Sequence, residues 1–179
     1  VAKKYVEVQA GSDAAKVFMR AYEDYHDDLA AVGATFDVFM AYDVDSEGVV
    51  VDLPGCLSHG GTSAAAYVKI SGSMDRASER ADFTIVVDGI LWDSHLSDAS
   101  KLALADHEMT HVEPRYGRET GEVLRDVYGR PRLSLRAHDA EIGVFREVME
   151  RHGKEALDYQ NAAAVGAMAR LTCGEDGED

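Results

Sequence analysis

Cysteine is nearly absent from this chain. Its two residues, Cys56 and Cys173, are far apart and form no C-x-x-C pair. That excludes a disulfide framework and a zinc ribbon. Basic charge is also scarce: 18 Lys and Arg stand against 33 Asp and Glu, a net charge of −15. Binding to nucleic acid through phosphates needs a basic surface, so that function class is not expected. Part of the acidity lies in Gly174-Glu-Asp-Gly-Glu-Asp179, read as a disordered tail. The rest reads as a solubilising surface. No apolar run approaches a membrane span. Nor does an apolar segment follow Val1-Ala-Lys-Lys-Tyr-Val, so neither a membrane location nor a signal peptide is expected. The reading is a cytoplasmic protein. The three prolines, Pro54, Pro114 and Pro131, each mark a turn or a boundary.

What is present suits one globular domain. The 179 residues are 46% hydrophobic, enough for a sizeable core. We expect a single domain over 1–173, with 174–179 as the tail. No internal repeat or linker divides it.

The pattern predicts an α+β fold. Val1 to Val8 reads as a strand or extended arm. Ser12 or Asp13 can cap a helix running to Val32, with Gly33 as its stop. In it, Tyr22 and Tyr25 read as packing residues, and His26 among Asp24, Asp27 and Asp28 reads as a solvated face. Strands are expected at Thr35 to Tyr42, Gly48 to Leu53, Ala65 to Ile70 and Asp82 to Asp88. Ser58 to Ser63 reads as a turn, with His59 in it. Met74 to Arg80 reads as a connector or one helical turn, and Trp92 as a core anchor. Thr120 to Tyr128 and Arg132 to Arg136 can pair around Gly129-Arg-Pro131. A helix is expected from His138-Asp139 to Gly153, with Ile142, Phe145 and Met149 inward. A last helix is expected from Lys154 to Leu171, with Leu157, Val165, Met168 and Leu171 inward.

The chemistry concentrates in His107-Glu108-Met109-Thr110-His111, of the form H-E-x-x-H. On a helix, residues four apart share a face, so both imidazoles can bind one metal ion. Glu108 can then act on a water as general base. Ser97 is a suitable N-cap, Lys101 to Val112 has neither Gly nor Pro, and Pro114 gives a stop. At about 100° per residue, Leu102, Ala105, Met109 and Val112 fall on one face and the two histidines nearly opposite. One side therefore reads as core and the other as a site. Catalytic zinc usually takes three protein ligands and leaves one position open. Downstream candidates for the third are Glu119, Glu122, His138, Asp139 and Glu141. His138 is preferred, as a strong ligand at the mouth of a new helix; Glu141 would give a two-His-one-Glu set. Asp106 and Asp139 can accept hydrogen bonds from the ligand imidazoles. Arg115, Tyr116 and His95 are candidates to stabilise an oxyanion.

Ala81-Asp-Phe-Thr-Ile-Val-Val-Asp88, Trp92, the segment Leu102 to His111 and Arg136-Ala-His-Asp-Ala-Glu-Ile-Gly-Val-Phe145 together resemble the putative phage metallopeptidase family. The likeness covers roughly Ala65 to Gly153. The later segment also resembles the His-Gly-x-Glu-Phe region of SprT-like proteases, although Asp139 stands where those proteins have Gly. The resemblance implies a zincin-like fold: a small mixed or antiparallel sheet packed on an N-terminal helix and the motif helix, followed by C-terminal helices. It implies Zn2+ held by His107, His111 and His138, Glu108 as the base, and a protein or peptide substrate. It also implies that Asp82 to Asp88 edges the cleft. A non-catalytic zinc-containing module that binds a partner through its acidic surface is the alternative. An open fourth metal position separates the two.

Overall fold

A computed structural model describes residues 2–59, 62–138 and 144–163. Four strands form a mixed sheet in the order Ala2–Glu7, Phe36–Val44, Phe83–Asp88, Ala66–Ile70. The strands β1 (Ala2–Glu7) and β2 (Phe36–Val44) are antiparallel. β2 runs parallel to β6 (Phe83–Asp88), and β5 (Ala66–Ile70) runs antiparallel to β6. The alternating or continuous apolar character of these runs decides their places. Phe83, Ile85 and Val87 are fully buried in the interior strand β6, whereas every residue of β1 is exposed on the edge.

The expected first helix is two helices, α1 (Asp13–Tyr25) and α2 (Asp27–Val32). Ser12 caps α1 by accepting from the Ala15 N–H at 3.2 Å. The break is at His26, whose backbone leaves helical angles (φ −123°, ψ 54°) and whose ring is buried, not solvated. Its Nε2 lies 3.1 Å from an Asp106 carboxylate oxygen. A buried ionic partner thus decides the local conformation that helical periodicity alone had joined through. Gly33 ends α2 at φ 72°, as its position suggested.

The run from Gly48 to Leu53 is not a strand. It makes a single bridge, Val44 to Val50, and Val49 and Leu53 are 58% and 67% exposed. Asp45 explains the turn before it, accepting from the Glu47 and Val49 N–H groups at 2.9 Å each. Two short strands, β3 (Ser58–His59) and β4 (Thr62–Ser63), pair as a small ribbon where a turn was expected.

The core lies between the sheet and the helices. Here α3 (Ser73–Ala77) is one short helix, and α4 (Gly89–His95) follows directly on β6. Trp92 of α4 is 3% exposed and stacks on Phe18 of α1 with ring centroids 5.2 Å apart. Gly89 allows α4 to start under the ring of Tyr42: a Cβ there would come within 2.2 Å of ring carbons. The motif helix α5 (Asp98–Thr110) is capped by Ser97, which accepts from Ser100 N–H at 3.1 Å. Leu102, Ala105, Met109 and Val112 are all buried, the face that the spacing predicted.

Beyond α5, β7 (Val112–Pro114) pairs with β8 (Leu133–Leu135). The expected hairpin of Thr120 to Tyr128 with Arg132 to Arg136 is therefore mostly replaced. What remains of it is the end next to the turn: a bridge between Arg125 and Pro131, with Arg132 N–H donating to the Leu124 carbonyl at 2.7 Å and Asp126 N–H to the Arg130 carbonyl at 2.9 Å. The reason is burial: Val112 and Leu133 are 2% and 8% exposed, whereas Val127 is 92% exposed. The helix expected from His138 starts later, as α6 (Arg146–His152). His138 itself is not helical, and Asp139, Glu141 and Ile142 lie outside the described residues. Gly153 ends α6, a 3-10 turn follows at Gly153–Glu155, and residues 157–163 are helical. The remainder of the expected last helix, Cys173 and the acidic tail lie outside the described residues. No helix among the described residues is long and apolar enough to cross a membrane.

Candidate metal centre

Three imidazoles converge. α5 presents His107 on its last turn and His111 as its C-cap, and the segment after β8 brings His138 over them. His138 Nε2 lies 3.2 Å from His107 Nε2, and one ring nitrogen from each of the three lies within 4.8 Å of the others. Ring centroids are 5.1 Å apart for His107 and His111 and 4.5 Å for His111 and His138. Phe145, fully buried, lies beneath all three, with its centroid 4.8 to 5.1 Å from each ring.

The other ring nitrogens fix the tautomers. His111 Nδ1 is 2.9 Å from the Arg136 carbonyl oxygen, which can only accept. Nδ1 therefore carries the proton and Nε2 keeps its lone pair. His107 Nδ1 is 2.7 Å from Asp158 Oδ1, and the same logic frees its Nε2. Burial pulls the His107 pKa down, but the Asp158 hydrogen bond and neighbouring carboxylates outweigh it and raise it. Burial holds His111 down at about 4, with His107 and His138 adding to the effect, so His111 is neutral at pH 7. Two imidazoles whose Nε2 atoms are left to donate, with a third imidazole nitrogen 3.2 Å from one of them, have the chemistry of a metal site.

Asp158 was not foreseen. It is 2% exposed, and its second oxygen accepts from the Phe145 N–H at 2.6 Å. One carboxylate therefore orients a ligand candidate and the aromatic floor together. The only signal was an Asp beside Leu157 in a stretch otherwise read as an apolar helix face. The two expected acceptors differ in outcome. Asp106 points away, into His26, Arg151 (2.7 and 2.8 Å) and His152 (2.7 Å). Asp139, like Glu141, lies outside the described residues.

Glu108 is 4% exposed and has no hydrogen-bond partner among the described residues. Burial pushes its pKa up to about 7; His107 opposes the shift and Asp158 adds to it. Glu108 and the three histidines line one cleft of about 640 Å³. Its other walls are Ser63 to Val68, Leu104, Leu135 to Ala137, and Leu157, Asp158 and Asn161. The strand bordering it is β5, at the edge of the sheet. Asp82 to Asp88 is instead interior, paired on both sides. Arg115, Tyr116 and His95 are not among the lining residues, and neither are Glu119 and Glu122. Arg115 lines a separate pocket, and His95 Nδ1 faces the Ile90 carbonyl at 3.3 Å.

A mixed-sheet α+β chain carrying two helical histidines, a buried glutamate between them and a third histidine has the makings of a metallohydrolase. The chain belongs to the putative phage metallopeptidase family, whose model matches residues 3–170. No curated protein and no solved structure matches it significantly.

Proposed function

We propose that the protein is a zincin-like, zinc-dependent metallopeptidase that hydrolyses peptide bonds in the cleft beside β5. The observation that carries this reading is the pairing, in one cleft, of three convergent imidazoles with a buried glutamate that has no hydrogen-bond partner among the described residues. His107, His111 and His138 would hold the metal. A zinc ion there would supply Lewis acidity, activating water and polarising the scissile carbonyl. Membership of a metallopeptidase family supports the reaction class.

The chain's own residues then have distinct roles. Asp158 and the Arg136 carbonyl hold His107 and His111 in the tautomer that donates from Nε2. Phe145 keeps the three rings from collapsing inward. Glu108, buried beside His107 in the same cleft, is placed both to take a proton from water and to return it to the leaving amine nitrogen.

The test is Glu108→Gln, which keeps size while removing the base. Cleavage of unstructured protein substrates should fall by ~10²–10⁴-fold. Zinc content, by elemental analysis, should match the wild type. Equal cleavage by both proteins at matched zinc would sink the assignment of Glu108.

A further inference from the structure

A second pocket, of about 640 Å³, opens beside the first and is basic in an otherwise acidic chain. Arg76, Arg115, Arg125 and Arg132 line it, with Asp126 as its one acidic residue. Asp126 is already taken: Arg76 donates to it at 2.9 Å. Three arginines keep uncompensated charge. Arg125 donates only to the neutral Gly129 carbonyl, at 2.9 Å. Arg115 and Arg132 have no side-chain partner among the described residues, and both are exposed.

The backbone holds these two charges together. Arg115 N–H donates to the Arg132 carbonyl at 2.8 Å, one step beyond the Pro114 to Leu133 pair of the β7-β8 ladder. Arg132 N–H donates to Leu124, and Leu124 N–H to Arg115, at 2.7 Å each. Directly opposed residues on neighbouring strands have Cβ atoms about 4.5–5.5 Å apart, and like charges so placed destabilise the pair. An anion between them relieves that repulsion, and a guanidinium fork suits a carboxylate.

The two pockets share both walls. β5 gives Ala66 to Val68 to the metal cleft and Ile70, with Ser71 after it, to the arginine pocket. β8 gives Leu135 to the first and Leu133 to the second. An extended chain advances about 3.3 Å per residue, so the step from Tyr67 to Ser71 spans roughly 13 Å, or four residues of a bound peptide.

Resting on the peptidase reading, we infer that the arginine pocket selects peptide substrates carrying acidic side chains about four or five residues from the cleaved bond, on one side of it. Continuity with the metal cleft favours a peptide over nucleic acid as the occupant. Arg115, Arg125 and Arg132 set the specificity and take no part in the bond cleavage itself.

The test uses the full chain bearing Glu108→Gln, loaded with zinc, and dye-labelled unstructured peptides that differ only in a Glu-Glu, Gln-Gln or Lys-Lys pair. Fluorescence anisotropy should show the Glu-Glu peptide binding about tenfold or more tightly than the Gln-Gln peptide. Adding Arg115→Glu/Arg132→Glu should invert the order in favour of Lys-Lys, and Arg115→Lys/Arg132→Lys should keep the acidic preference. Equal binding of all three peptides would overturn the inference. So would an unchanged preference in a charge-reversed variant whose melting temperature matches its parent. Displacement of the acidic peptide by a single-stranded oligonucleotide that binds more tightly would replace it with a nucleic-acid site. Mapping wild-type cleavage by mass spectrometry, with the Glu-Glu pair walked along the peptide, should place the cut four or five residues from the pair. Cutting at positions unrelated to the pair would overturn it. If nothing is cut but the binding order still inverts, the peptidase reading fails and the acidic-peptide site stands.

Discussion

Asp158 does two jobs at once, and each can be separated by substitution. Its Oδ1 receives the His107 Nδ1 proton, and its Oδ2 receives the Phe145 N–H. Asp158→Asn keeps the shape but turns one oxygen into an N–H donor group that cannot accept. The His107 ring then loses its fixed tautomer. Loss of such a supporting partner typically costs 10–100-fold in metal affinity. We expect a fall of that order for Asp158→Asn, read by competition with a chromophoric chelator. An unchanged affinity would show that the hydrogen bond does not orient the ligand. His138→Ala should weaken zinc by well over tenfold, more than about 1.4 kcal/mol. If the same assay finds no change for His138→Ala, the third ligand is another residue. The motif pair and His138 were legible as sequence because their chemistry is rare and their spacing is local or marked by resemblance. Asp158 was not, because nothing in sequence tells a carboxylate turned inward from one turned to water.

At the scale of the element, α5 is fastened from the side opposite its site. Asp106 is fully buried and receives Arg151 of α6 at two oxygens, with His152 and His26 completing the cluster. Burial alone would raise its pKa. The His26 ring 3.1 Å away, hydrogen bonds from Arg151 and His152, and the Arg151 charge outweigh it and hold the carboxyl well below the usual range. A depressed folded pKa contributes stability that is fully present above the unfolded value of about 3.9 and is lost as pH falls through the folded value. Asp106→Asn should therefore destabilise the protein at pH 7, by roughly 2–4 kcal/mol given that Arg151 is partly exposed. The gap to wild type should narrow below about pH 4 in urea unfolding curves. A constant gap from pH 7 to pH 3 would refute the linkage. This cluster also marks where element reading faltered. Periodicity found α1, α5 and the central strands, whose apolar residues face one core. It could not find the break at His26 or the late start of α6, since both answer to a long-range partner. Gly48 to Leu53 shows the converse, an apolar run with no sheet to join.

At the scale of the whole molecule, the candidate ligands come from two distant parts of the chain, the motif helix and the segment after β8. A metal bound only in the folded state stabilises it by mass action. Zinc-loaded protein should melt several degrees above protein stripped by chelator. The increment should vanish in His107→Ala/His111→Ala, as differential scanning calorimetry can read. Equal melting temperatures with and without chelator would place the histidines outside any tight metal site. The strand bordering the cleft also becomes clear only at this scale. The clearest strand in the sequence, Asp82 to Asp88, is the most hydrophobic and for that reason lies inside the sheet, whereas the weakly alternating Ala66–Ile70 forms its edge.

The place of Asp158 along the chain has a consequence for the order of events at the ribosome. His107 emerges about fifty residues before its buried carboxylate, since Asp158 follows it by 51 positions. Domains being synthesised fold progressively from their N-terminal side. The sheet and motif helix can therefore form while the carboxylate that orients His107, and the Phe145 floor it anchors, are still absent. A nascent chain has the imidazoles but not their alignment. The order of the chain thus places both motif imidazoles well ahead of the carboxylate and the aromatic floor that align them.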